Sequence, residues 1–178
     1  MRGIELTHCP LPDRLTLVLG GARSGKSRHA ERLATALPAP WTYVATAQAL
    51  DAEMRARIVA HRARREAGWL TVEAPINLAK AIGGVGSGPV LVDCLTLWVS
   101  NLLLGGIGMA EATASLDAAL DARAAPTILV ANEVGLGIVP DNALARAFRD
   151  AAGLLNQRLA ARADRVVFLV ASLPMRVK

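Results

Sequence analysis

Two short stretches of this chain carry residue types that do chemistry on phosphates. The first is Gly20, Gly21, Ala22, Arg23, Ser24, Gly25, Lys26 and Ser27, which satisfies G-x-x-x-x-G-K-[ST]. In a strand-to-helix turn such a run wraps its backbone N–H groups around a phosphate, and the helix N-terminus adds partial positive charge. Lys26 then reaches the β- and γ-phosphates, and the Ser27 hydroxyl ligates Mg²⁺. Glycine is required at Gly20 and Gly25 because a Cβ would block the turn or the phosphate. The second stretch is EMRARIVAHRARRE, which holds His61, one of only three histidines, among arginines.

At 100° per residue, Met54, Ile58, His61 and Arg65 fall within about 60° of one another on a helix over 51–67. Arg55 and Arg62 flank that stripe on one side, Arg57 and Arg64 on the other. His61 therefore continues the inward face. The bland alternative is a half-buried histidine satisfied by a carbonyl. The chemical one is a neutral imidazole beside a polyphosphate. Guanidiniums suit phosphate oxygens, and they would lower the imidazole's proton affinity and leave a nitrogen free to attack phosphorus.

A phosphate-binding turn also wants an acidic group at the end of a neighbouring buried strand. PVLVDCL puts Asp93 there, as a metal ligand or as the N-cap of the next helix. Glu133, after TILVAN, is its rival.

The elements that must position these groups follow from pattern. RLTLVLG, WTYVAT, WLTVEAP, GPVLVDCL, PTILVANE and DRVVFLVA read as strands. Helices are expected over 25–37, where Pro38 ends the run, over 51–67 capped by Asp51, and over LTLWVSNLLL, 109–123 and 143–163. Residues 82–89, IGGVGSGP, read as a surface loop, and DRVVFLVA as the last strand. Strands alternating with helices make an α/β fold with a mostly parallel central sheet, of the three-layer P-loop NTPase type. One domain over 15–178, after an extension over 1–14, is expected.

The totals agree. The chain has 178 residues, 53% hydrophobic and 20% charged, which is a globular composition with room for one core. No apolar run reaches the ~18 residues that cross a bilayer. The first residues lack the apolar centre of a secretory signal. Cys9 and Cys94 have no metal-ligand spacing and form no disulfide framework, so the cytoplasm is expected. The net charge of +5 comes with no aromatics interleaved among the arginines, which favours a nucleotide over nucleic acid.

The chain also resembles a known family. LTLVLGGARSGKSRHAERLA, YVATAQALDAEMRARIVAHRARR, LVDCLTLWVSNLL and the long ANEVGLGIVPDN segment together look like the adenosylcobinamide kinase / adenosylcobinamide-phosphate guanylyltransferase family, in order from Leu15 to Lys178. The resemblance implies two reactions. A nucleoside triphosphate, ATP or GTP, phosphorylates adenosylcobinamide. GTP then gives GMP to an enzyme histidine, matched here by His61, which passes it to the phosphorylated corrinoid.

By the same match Ala45, Thr46 and Ala47, the residues after His61 (Arg62, Ala63, Arg64 and Arg65), Glu73 and Asp93 line or contact the nucleotide site. Glu73 is the candidate for guanine's N1–H and N2 edge, against a plain reading as an exposed strand-end glutamate. The resemblance also suggests a homotrimer. The NEVGLGIVPDN segment reads either as a rigid loop with Asn142 or Asp141 capping a helix, or as a corrinoid or subunit contact. His29 is expected to pack or face solvent, and His8 to be inert. The family commonly carries glycine where this chain has ASLP (171–174), so the final turn is expected to differ. The competing functions are a plain P-loop small-molecule kinase with a structural His61, and a nucleic-acid-stimulated ATPase.

Overall fold

The computed structural model describes residues 13–49, 51–63, 65 and 67–178, except for the side chain of Arg57. Most of the expected extension, with His8 and Cys9, lies outside the described residues, as does Arg64. The strands are β1 (Leu15–Gly20), β2 (Trp41–Ala45), β3 (Trp69–Glu73), β4 (Val90–Asp93), β5 (Thr127–Asn132), β6 (Arg165–Val170) and β7 (Leu173–Arg176). The helices are α1 (Lys26–Thr35), α2 (Ala52–Ala63), α3 (Leu78–Gly84), α4 (Leu95–Leu104), α5 (Met109–Ala122) and α6 (Ala143–Arg162). They alternate with the strands, as the sequence pattern predicts.

The strands form one sheet in the order β3-β2-β4-β5-β1-β6-β7. The first six are parallel and β7 runs antiparallel to β6. Parallel strands with both faces covered read as continuous apolar runs, which is why these were visible in the sequence. Successive side chains point to opposite faces. Leu17, Val44, Val92 and Leu129 pack under α3, α4, α5 and α6 through Leu78, Trp98, Leu116 and Leu159. Val18, Leu91, Val130 and Val167 pack on the other face under Ala30 and Ala34 of α1. The result is three layers, with the thinner one built on α1.

Because β1 to β5 are parallel, their C-terminal ends share one edge. Register sets Glu73 and Asp93 level with Ala45 on its two sides, and Gly20 level with Asn132. That edge is where open α/β sheets bind ligands. One side chain ties it together from behind. Asn101 Nδ2 donates to Thr46 O at 2.8 Å and to Pro75 O at 2.9 Å, joining the segments that follow β2 and β3.

Three expectations need correction. α2 stops at Ala63, not 67. Beyond it the chain turns through Gly68 at φ 103, and Arg65 lies over the Tyr43 ring, 3.8 Å from its centroid. The loop expected over 82–89 begins inside α3, which the pattern missed: seven residues with two terminal glycines offer only Leu78 and Ile82 as a buried repeat. β6 is not the last strand. β7 is exposed throughout and contains Pro174, so it shows neither alternation nor a buried run, and it sits at the sheet edge where proline is tolerated. Asp51 does cap α2, its Oδ1 accepting from Met54 N at 2.7 Å. Asn142, not Asp141, caps α6, accepting from Ala145 N at 3.1 Å.

Candidate active site

The turn from β1 to α1 is shaped by its glycines. Gly20 has φ 153, and a Cβ there would stand 2.6 Å from Leu169 O and 2.7 Å from Ser24 Oγ. Gly25, at φ 91, precedes α1 without any side-chain cap. The first N–H groups of α1 are therefore left for an anion. Lys26 is nearly buried, at 7% exposure, and its Nζ donates to Gly21 O at 2.6 Å. The lysine is thus curled over the loop it serves.

The final hairpin presses on this turn. Ala171 and Ser172, which close β6 onto β7, both have positive φ, 48 and 67. Ser172 N donates to Ser24 O at 2.9 Å, and Ser172 Oγ would lie 2.6 Å from a Cβ on Gly25. A left-handed conformation costs a non-glycine residue roughly 1–2 kcal/mol. Ser172→Gly is therefore expected to raise the melting temperature by about 2–4 °C, a gain of ~1 kcal/mol in a chain of this size. A lower melting temperature would mean that the serine hydroxyl contributes more than the strain removes.

Facing the turn is a cleft of about 700 Å³, within the range of small-ligand sites. Ala22, Arg23, Ser24, Gly25, Lys26 and Ser27 line one wall; Met54, Ile58, His61 and Arg65 line another. The helical stripe read from the sequence is the face that α2 and its C-terminal continuation turn into the cleft. Ala45, Ala47, Glu73 and Asp93 contribute from the strand ends, and Arg62 from the rim.

Other candidates are not part of the lining. Gly20 and Gly21 belong to the turn but not to the cleft lining. Thr46 is fully buried, its Oγ1 accepting from Cys94 N at 2.8 Å and donating to Cys94 O at 2.7 Å. Ala63 is exposed outside the cleft. Glu133 turns to its own loop, with Oε1 accepting from Gly135 N at 2.6 Å. His29 is half-buried away from the lining, and burial, then Arg32 and Arg165, hold it below the usual histidine range.

Charge inside the cleft is arranged. Arg62 pairs with Glu73 at 2.5 Å, on a carboxylate 70% exposed. Arg65 donates to Thr71 Oγ1 at 3.1 Å. His61 is 30% exposed, with Nδ1 3.9 Å from Glu31 Oε1 on α1.

Asn132, which the sequence offers with Glu133 as a possible Mg²⁺ or substrate group, does line the cleft, and so do Tyr43 and Ser172, which were not singled out from sequence. Tyr43 OH donates to Asp93 Oδ2 at 2.9 Å. Burial, and then the negative charge of Asp93, raise the phenol far above its usual range, so it stays a donor. Burial likewise pushes the Cys94 thiol up to about 11, which leaves it a poor nucleophile beside the cleft.

A glycine-rich strand-to-helix turn with a curled lysine, at the C-terminal edge of a parallel sheet, defines a P-loop nucleotide-binding protein. Two solved structures agree at the level of fold: the flagellar accessory protein FlaH from Methanocaldococcus jannaschii (TM-score 0.53, 13% identity, 93% of this chain and 78% of that one) and a type III secretion system ATPase of pathogenic bacteria (TM-score 0.50, 12% identity, 88% and 51%). The chain belongs to the cobinamide kinase / cobinamide phosphate guanyltransferase family, whose model matches residues 16–177, and is thus a bifunctional transferase of cobalamin biosynthesis. It is 50% identical to the bifunctional adenosylcobalamin biosynthesis protein CobP of Pseudomonas aeruginosa, over 91% of this chain and 96% of that one. It is 44% identical to the bifunctional adenosylcobalamin biosynthesis protein CobU of Salmonella typhimurium, over 92% and 99%. The resemblance read from the motifs was to this family.

Proposed function

We propose that this one cleft serves both reactions and that the second passes through a covalent His61–GMP intermediate. The observation that supports the reading is that residues 22–27 of the turn and His61 line the same cavity. In the kinase step the corrinoid hydroxyl attacks the γ-phosphorus of ATP or GTP. In the transferase step a ring nitrogen of His61 attacks the α-phosphorus of GTP, an N–P bond forms, and pyrophosphate leaves. An oxygen of the corrinoid phosphate then attacks that phosphorus, and the imidazole is released. The covalent intermediate splits one difficult exchange between anionic phosphates into two easier displacements, with a reactive phosphoramidate between them.

Lys26 holds the β- and γ-phosphates, while Arg62, Arg64 and Arg65 offset charge at the attacked one. The remaining nucleotide contacts are Ala45, Ala47 and Asp93, whereas Thr46 and Ala63, which lie off the lining, take none. Glu73 accepts from guanine's N1–H and N2 edge, with Arg62 holding it in place. Ser27 and Asp93 would hold Mg²⁺, which when bound neutralises phosphate charge. The residues fit that ion: both are oxygen donors, both line the cleft, and Tyr43 engages only one oxygen of Asp93. Among the described residues no cluster of three acidic, histidine or cysteine side chains could cage a metal. Mg²⁺ needs none, since it takes one or two protein oxygens and fills the rest with phosphate and water.

A homotrimeric, cytoplasmic protein with a single domain over 15–178 completes the proposal. Among the described residues no helix is long and apolar enough to cross a membrane.

Incubation with α-labelled GTP and Mg²⁺ tests the intermediate. The expected result is protein-bound label that is acid-labile and base-stable, as a phosphoramidate is. No label in a protein that still phosphorylates the corrinoid would leave a kinase without a nucleotidyl-enzyme intermediate.

A further inference from the structure

Glu31 takes no part in the reactions as described so far. It lies on α1 one turn beyond Ser27, so the two side chains share a face of that helix. Ser27 lines the cleft, and Glu31, which does not, lies one turn further along the same helix, against His61 of the lining. Its side chain is 16% exposed and its Oε1 is out of solvent. Two groups of the cleft lie close enough to feel its charge. Oε1 stands 3.9 Å from Nδ1 of His61, across the gap between α1 and α2. Its negative charge also adds to the upward pressure on the Tyr43 phenol, beside the cleft.

We infer that Glu31 is the positioning residue for guanylyl transfer, an assignment that rests on His61 being the nucleophile. A carboxylate facing Nδ1 favours the tautomer with the proton on that nitrogen. The lone pair is then on Nε2, and Nε2 is the attacking atom. When Nε2 forms its bond to the α-phosphorus and the bond to the pyrophosphate oxygen breaks, the ring keeps its Nδ1 proton and becomes cationic. Glu31 neutralises that cation through the life of the adduct. When the corrinoid phosphate attacks, the N–P bond breaks, the electron pair returns to Nε2, and the neutral ring is restored with its proton never having left. The 3.9 Å separation is that of an ion pair and longer than a hydrogen bond, as is common before the transition state tightens such contacts. The kinase step passes through none of this, because the transferred γ-phosphoryl goes to a hydroxyl and not to His61.

The test compares wild type, Glu31→Gln and Glu31→Ala in two assays: single-turnover formation of the protein-bound GMP adduct, and phosphorylation of cobinamide. Glutamine keeps the shape and removes the charge. The expected result is adduct formation slowed by about 10- to 100-fold in Glu31→Gln and further in Glu31→Ala, the scale typical of partners that orient a functional histidine. The GTP concentration for half-maximal rate should stay within about twofold, because binding is not what is lost. Phosphorylation should keep its kcat and KM in both variants, which also reports that α1 is folded. Equal adduct rates in all three proteins would overturn the role of Glu31 alone. Parallel loss of both activities would reduce Glu31 to a structural residue of α1. Absence of any adduct in wild type would remove His61 as nucleophile and the positioning role with it.

Discussion

His61→Asn is expected to lose all label from α-labelled GTP while the phosphorylation of cobinamide continues within about threefold of wild type. Asparagine approximates the imidazole in size and polarity but has no ring nitrogen to attack phosphorus. Cys94, another lining residue, is held as a thiol by burial and is a poor substitute nucleophile. The loss in guanylyl transfer should reach about 10³-fold or more, the scale seen when a covalent nucleophile is removed from machinery that otherwise persists. The kinase is spared because Lys26, Ser27 and Asp93 are untouched, and α2 contributes no residue to the core. Following the two products separately, with the corrinoid phosphate supplied for the second step, checks the outcome. Label retained in the variant would point to a different nucleophile, and equal damage to both steps would make His61 a shared binding group.

Lys26→Ala should act in the opposite manner, removing both activities together. The lysine is the cation curled over the turn itself, with its Nζ on Gly21 O, and its reach to the β- and γ-phosphates serves whichever phosphorus is attacked. Loss of such a preorganised contact typically costs ~3–4 kcal/mol, or about 10²- to 10³-fold in rate. A binding measurement separates this from misfolding. Nucleotide at about 100 times its dissociation constant should stabilise wild type by ~2.7 kcal/mol, which is about 5–11 °C in melting temperature for a chain of this length. In Lys26→Ala that shift should vanish, while the ligand-free protein melts close to wild type. A variant that still responds to GTP with the full shift, yet is inactive in both assays, would place the lysine in the transition state alone.

How much of this was legible in the sequence depends on the range of the signal. The phosphate-binding turn is a local motif between a buried strand and a helix, and both flanking elements announce themselves by apolar pattern. The inward stripe Met54–Ile58–His61–Arg65 is also local, since one helical period fixes which residues share a face. Asp93 was readable because a buried strand ends there. Glu31, Tyr43 and Ser172 were not readable, because each acquires its place from a neighbour distant in sequence. Glu31 meets His61 only once α1 and α2 are side by side. Tyr43 meets Asp93 only because β2 and β4 are paired with Ala45 level with Asp93. Ser172 meets the turn only because β6 lies next to β1. Thr46 shows the converse. It stands between two lining residues in sequence, yet strand alternation sends its side chain inward to Cys94.

The helix that bears His61 is exposed along nearly all its described length and gives no side chain to either core cluster. If His61 carries the guanylyl group as proposed, the helix that bears it can be altered with little effect on the packed core. A variant carrying damage on that helix would express, purify and denature like its parent, and thermal screening would pass it as healthy. Only an assay of the second reaction would reveal that half of the enzyme had fallen silent.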